Sequence, residues 1–227
     1  MEPLGWVARF EKELGLPEGF YVNLLVKEDD WSFVIKLHAL VEAAVAHLLA
    51  TNCGDKLLDV FVRLELSNNT TGKLAFAKAL NAFDDDERKF IRSLSEIRNS
   101  FAHDVRQADA TLPVYVSRLD VNQLKAFKDA VGPGIDPFEV GGVKVPEIDF
   151  VRDNPKLCIW LRALFLISFA YQRKDLVLMT RKVADEREKL LETILQLEQL
   201  RRQAIGTGLL FRPDGGSTAG SGQPDGH

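Results

Sequence analysis

The spacing of apolar residues predicts helices along most of this chain. In residues 1 to 16, Trp6, Val7, Phe10 and Leu14 recur at helical intervals, and Gly15 with Pro17 ends the pattern. Asp30 is positioned to cap a long helix from Trp31 to about Thr51, with Phe33, Leu37, Leu40, Val41, Ala44 and Leu48 on one apolar stripe. Ile35, Ala46 and Leu49 lie on its other side, so this helix is expected to be covered twice, by its own bundle and by a second subunit. Further helices are predicted over Asp55 to Leu66 and Lys73 to Phe83, separated by the polar run from Ser67 to Gly72. Asp84-Asp85-Asp86-Glu87 then supplies a cap and favourable first-turn charge for a helix reaching about His103.

The pattern changes between Leu112 and Pro155. Pro113, Pro133, Pro137 and Pro146 interrupt it, and Val140-Gly141-Gly142-Val143-Lys144-Val145 reads as a small hairpin. One short helix is expected here, over Val121 to Val131 behind an Asp120 cap, and the segment as a whole reads as an insertion. Helical patterning resumes from Lys156 to Gln172 and from Asp175 to about Gln203, where Leu176, Val183, Leu190 and Leu197 recur every seventh residue. Glu186 and Thr193 interrupt the companion positions, which favours a long packed helix over a coiled coil. The stretch from Arg212 to His227 is rich in Gly, Ser, Pro and Asp and is expected to stay disordered. The expected fold is therefore all-α: an N-terminal helical segment (1–28), a helical bundle (29–111), a small irregular insertion (112–155), long C-terminal helices (156–205) and a tail (206–227).

Composition narrows the picture further. With 46% hydrophobic residues in 227, the chain can bury a substantial core. A balance of 29 basic against 33 acidic residues, net charge -4, removes bulk attraction to polyanions, so any nucleic-acid contact has to be local. Cys53 and Cys158 stand far apart among apolar residues and read as buried thiols in a reducing compartment. The most apolar stretch, Leu157 to Tyr171, contains Arg162 and falls short of the roughly 20 residues a membrane span needs. Met1-Glu2-Pro3-Leu4 has no basic region leading into an apolar one. A cytoplasmic protein that does not enter a membrane is expected. No His, Cys and carboxylate set has metal-ligand spacing, so neither a metal nor another cofactor is expected.

The chemistry concentrates in the helix ending at His103. At about 100° per residue, Phe90, Leu94, Ile97 and Phe101 share a narrow core stripe, Arg92, Ser95, Glu96, Asn99 and His103 project away from it, and Arg98 lies at the boundary. Ser95-Glu96-Ile97-Arg98-Asn99-Ser100-Phe101-Ala102-His103 resembles the signature of the HEPN superfamily, an Arg followed four to six residues later by a His, with a polar residue often directly after the Arg. His38-Ala39-Leu40-Val41-Glu42 and Gly72-Lys73-Leu74 are similar to the mannitol operon repressor-like branch. The resemblance covers about residues 30 to 106. It implies a HEPN-like bundle that dimerises to bring two Arg/His pairs into one cleft, and metal-free RNA cleavage with Arg98 and His103 catalytic and Asn99 supporting. Read without the family, Arg98 and His103 are also what a helix C-terminus favours on electrostatic grounds, and Asn99 with His103 is an ordinary i, i+4 pair.

Glu42 is the second residue singled out, because a carboxylate in a helix covered on both sides needs a partner. It pairs either with Arg98 or His103, as an orienting group, or with His38 one turn earlier. His38 and His47 read as bundle or surface residues. Two functions follow. One is a metal-independent endoribonuclease of a toxin, stress-response or antiviral system, with RNA as its substrate and an antitoxin as a possible protein partner. The other is a non-catalytic HEPN dimer whose cleft serves a regulatory protein or a nucleotide.

Overall fold

The computed structural model describes residues 3–103, 111–132, 138–140 and 143–206. The architecture is all-α. Its elements are α1 (Pro3–Glu13), α2 (Phe20–Val26), α3 (Asp30–Cys53), α4 (Leu58–Arg63), α5 (Lys73–Ala79), α6 (Asp85–His103), α7 (Leu112–Ser117), α8 (Val121–Val131), β1 (Phe138–Val140), β2 (Val143–Val145), α9 (Glu147–Asp153) and α10 (Pro155–Gly206), with a 3-10 turn at Asp55–Leu57. The chain divides into two units, residues 1–178 and residues 179–227.

In the first unit α3 is the central element, packed against α2, the 3-10 turn, α4, α5 and α6. Phe33, Leu37, Val41, Ala44 and Leu48 are buried on one side and Ala46 and Leu49 on the other. Much of both sides is thus covered by elements of the same chain, while Ile35 on the second side is half-buried. By length and composition α3 is the one described helix apolar enough to cross a membrane, and 61% of its most apolar window is buried inside the fold. Its apolar surface is spent on the bundle core. The helix is capped by Asp29, whose carboxylate accepts from the Ser32 backbone N–H at 2.9 Å. Asp30, expected in that role, instead accepts from the Leu112 N–H at 2.7 Å and faces Lys156 at 3.4 Å.

α6 begins on a capping box: Asp84 accepts from the Glu87 N–H at 2.7 Å, and Glu87 returns the bond to the Asp84 N–H at 2.8 Å. Arg173 of α10 donates to the buried Glu87 carboxylate at 2.8 Å and to the Ala82 carbonyl at 2.9 Å, tying this end of α6 into the core. Phe90, Ile91, Leu94, Ile97 and Phe101 are all buried, each worth about 1.5–3 kcal/mol of removal from water. Trp31 closes the other end by donating from Nε1 to the Phe101 carbonyl at 3.2 Å. The segment carrying Arg98 and Asn99 is therefore anchored on both sides.

The 112–155 region contains three helices, α7, α8 and α9, where one is expected from the sequence. Leu112, Val116, Phe127, Ala130, Val131 and Val151 join the same core as α3 and α6. Asp120 does cap α8, in a full capping box with Gln123. The hairpin forms with Phe138 opposite Val145 and Val140 opposite Val143. α10 is continuous where two helices are expected, because no Gly or Pro stands between Lys156 and Ile205 to end it. Its first part is buried through Cys158, Ile159, Ala163, Ile167 and Tyr171. Tyr21 donates to the Trp160 carbonyl at 2.6 Å and Trp160 Nε1 returns a bond to the Tyr21 carbonyl at 3.0 Å, locking α2 to α10.

In the second unit the described residues continue as helix, with Val183, Leu190 and Leu197 between 60% and 65% exposed. The packed heptad face expected there is open. Cys53, expected to be buried, is exposed, whereas Cys158 is buried as anticipated. The tail from Arg212 to His227 lies outside the described residues.

Candidate functional site on α6

Arg98 and Asn99 are adjacent on the outer part of α6, Arg98 half-buried and Asn99 exposed. The Arg98 Nη1 donates to Asn99 Oδ1 at 3.0 Å, and among the described residues its other donors make no further hydrogen bond. His103 is the last residue of α6, with its backbone about 7.5 Å further along the helix axis than that of Arg98. Its side chain lies outside the described residues.

Ser95 departs from the expected outward position. It is buried, because the ridge holding Ile91 and Leu94 faces α3 and carries Ser95 with it. Its hydroxyl donates to the Ile91 carbonyl at 2.9 Å and stands 3.2 Å from His38 Nε2. A hydroxyl has one proton, so with that proton given to Ile91 the His38 Nε2 is the donor to Ser95. The other ring nitrogen, Nδ1, lies 4.0 Å from Glu42 Oε2. The Glu42, His38 and Ser95 side chains thus form a line like a nucleophile, base and orienting carboxylate, but chemically it is not one. The serine is enclosed and its proton points away from the imidazole. Burial holds His38 below the ordinary histidine pKa, with Arg98 and Lys73 acting in the same direction and Glu42 opposing them.

Glu42 is one-third exposed, and its principal partner is Lys73, whose ammonium donates to Glu42 Oε1 at 2.6 Å. Arg98, one of the expected partners, is not paired with it among the described residues, and His38 is the more distant contact at 4.0 Å. Lys73 is fully buried and also donates to the Val62 and Leu64 carbonyls at 3.3 and 2.5 Å. The loop preceding it makes this possible. Asn68 Oδ1 accepts from the Thr70 and Thr71 N–H groups, both at 2.9 Å, and the Lys73 N–H reaches back to the Glu65 carbonyl at 2.9 Å. At Gly72 a Cβ would overlap the Glu65 carbonyl and Asn68, so only glycine allows this close return. Sequence reasoning missed Lys73 as a structural cation. The available signal was its place beside Leu74 and one turn before Ala77, both core residues.

Together α3, α5 and α6 hold Glu42, Lys73, His38 and Ser95 in a polar seam beneath Arg98. No family model, no curated protein and no solved structure matches the chain. The site is therefore read from its residues alone. Among the described residues no group of three or more His, Cys, Asp or Glu side chains is arranged to hold a metal ion.

Proposed function

We propose that the chain is a metal-independent endoribonuclease with Arg98 and His103 as its catalytic pair, Asn99 in support, and the resemblance to the HEPN superfamily as the frame. The observation that carries this reading is the Arg98–Asn99 hydrogen bond on a helix anchored at both ends, with His103 following on the same helix. A guanidinium held in this way offers a planar fork to a phosphate and stabilises charge as it develops there. A histidine imidazole is the side chain suited to taking the proton of a ribose 2′-hydroxyl, the role given to His103. The 2′-oxygen then bonds to the adjacent phosphorus, the bond from phosphorus to the 5′-oxygen breaks, and a proton is delivered to the departing oxygen. The products are a 2′,3′-cyclic phosphate and a 5′-hydroxyl. One helix carries one Arg/His pair, and a homodimer in the cytoplasm would supply the second proton-transfer group, with an antitoxin-like protein as a regulating partner.

The second reading, a non-catalytic HEPN dimer that binds a regulatory protein or a nucleotide, is favoured by one observation. Glu42, the carboxylate expected to orient the catalytic groups, is engaged by Lys73 instead.

The deciding experiment incubates the purified full chain with total RNA in excess chelator. Wild type is expected to cleave, and Arg98→Ala and His103→Ala are each expected to lose a factor on the order of 100 or more. Arg98→Lys keeps the charge and loses the fork, and should also fall substantially. Intact RNA with the folded wild type would move the assignment to the binding module.

A further inference from the structure

A groove of about 430 Å³ opens between α6, α7 and α8, one to two helical turns before the Arg98–Asn99 pair. Its floor is apolar, made by Leu119, Ala126 and Phe127 with the ring of Tyr115. Tyr115 is fixed in position by Phe101 on one side, at 6.1 Å between ring centroids, and Phe127 on the other, at 6.5 Å. The charged wall is contributed by α6. Lys89 is neutralised by Asp86 at 2.8 Å and Asp129 by Lys128 at 2.8 Å, so those two lining charges are already satisfied.

Arg92 and Glu96 differ from them. Both line the groove, Arg92 is half-buried, and among the described residues neither makes a hydrogen bond or an ion pair. They stand one turn apart, with backbones separated by about 6 Å along the axis. The order Arg then Glu is the weaker orientation for an i, i+4 pair within a helix, and among the described residues both groups stay open to a third party. Burial and the nearby Glu96 raise the Tyr115 pKa, which keeps its hydroxyl protonated and its ring neutral. The groove thus offers one cation and one anion a helical turn apart, above an aromatic and aliphatic floor.

We propose that this groove binds a free α-amino acid with an aromatic or branched apolar side chain. Its carboxylate lies on Arg92, its ammonium on Glu96, and its side chain on Tyr115, Leu119 and Phe127. A zwitterion presents its two charges on neighbouring atoms and fits between the pair, and the guanidinium fork matches a carboxylate in two bonds. The volume is in the range of small-molecule sites. Neither Arg98 nor Asn99 lines the groove, so the proposal does not rest on RNA cleavage.

Isothermal titration of the full chain with L-phenylalanine and L-leucine tests it, with glycine, N-acetyl-L-phenylalanine and L-phenylalaninamide as the comparison ligands. The two apolar amino acids should bind with Kd at or below about 1 mM, as expected for a ligand of this size. Glycine, the acetylated form without an ammonium and the amide without a carboxylate should each be weaker by at least tenfold. Arg92→Gln and Glu96→Gln should each weaken phenylalanine by a similar factor, and Ala126→Trp, at an exposed position on the floor, should abolish binding while the circular dichroism spectrum stays native. Absence of saturable binding to the folded wild type at 20 times that Kd overturns the proposal. So does equal affinity for the two blocked analogues, or full affinity in Ala126→Trp.

Discussion

Replacing Lys73 by Met is the most direct probe of the polar seam beneath Arg98. The side chain is 0% exposed, so the change removes a buried cation that holds Glu42 Oε1 at 2.6 Å and the Leu64 and Val62 carbonyls at 2.5 and 3.3 Å. Methionine keeps a flexible chain of similar length, so no sizeable cavity opens and the packing cost stays small. Losing a charged donor to a buried carbonyl costs about 1.5–3 kcal/mol, and the Leu64 bond is the short one. Glu42 is one-third exposed and can turn to water, so its lost partner adds less than the 3–5 kcal/mol of a fully buried broken pair. Relief from desolvating the ammonium offsets part of the sum. The expected loss is about 3 kcal/mol, which lowers Tm by roughly 6–12 °C for a chain of this size. Urea unfolding followed by far-ultraviolet circular dichroism measures it. Glu42→Gln keeps an oxygen that accepts from Lys73 but leaves the buried ammonium without its counter-charge, and should also destabilise, by at most the roughly 3–5 kcal/mol of a broken buried pair. A Lys73→Met variant within ~0.5 kcal/mol of wild type would refute the assignment of Lys73 as the structural cation of this site.

Two further outcomes follow from the same geometry. Because burial holds the folded pKa of His38 below 6.5, its stabilising contribution is complete above that pH and declines as pH falls, since the unfolded chain takes up the proton first. Unfolding midpoints between pH 7.5 and 5 should fall less steeply in His38→Gln, which keeps a donor to Ser95, and an unchanged slope would contradict the reasoning. Thiol titration should give one fast equivalent from exposed Cys53, with Cys158, buried and with its pKa raised to about 11, reacting only on unfolding; two fast equivalents would contradict the burial.

Local periodicity determined much of this protein in advance. The all-α class, the core stripe of α6, the Asp120 cap of α8 and a hairpin at Val140 to Val145 follow from residues close in sequence, where 3.6-residue spacing, capping oxygens and turn residues act over a few positions. Such patterns say which face of a helix is apolar, but not what covers it. The second face of α3 is such a case: Ala46 and Leu49 on it are buried within the chain's own fold, while Ile35 stays half-buried. Boundaries set by long-range bonds were equally hidden: Asp30 serves Leu112 and Lys156, leaving Asp29 as the cap. The site shows the same division. Arg98 and Asn99 are neighbours in sequence and remain neighbours in space. The partner of Glu42 was decided by a buried lysine 31 residues away, and Ser95 was drawn inward to meet His38 across 57. Pairing of buried polar groups depends on which helices pack together, and a helical wheel drawn for one helix contains no information about its neighbours.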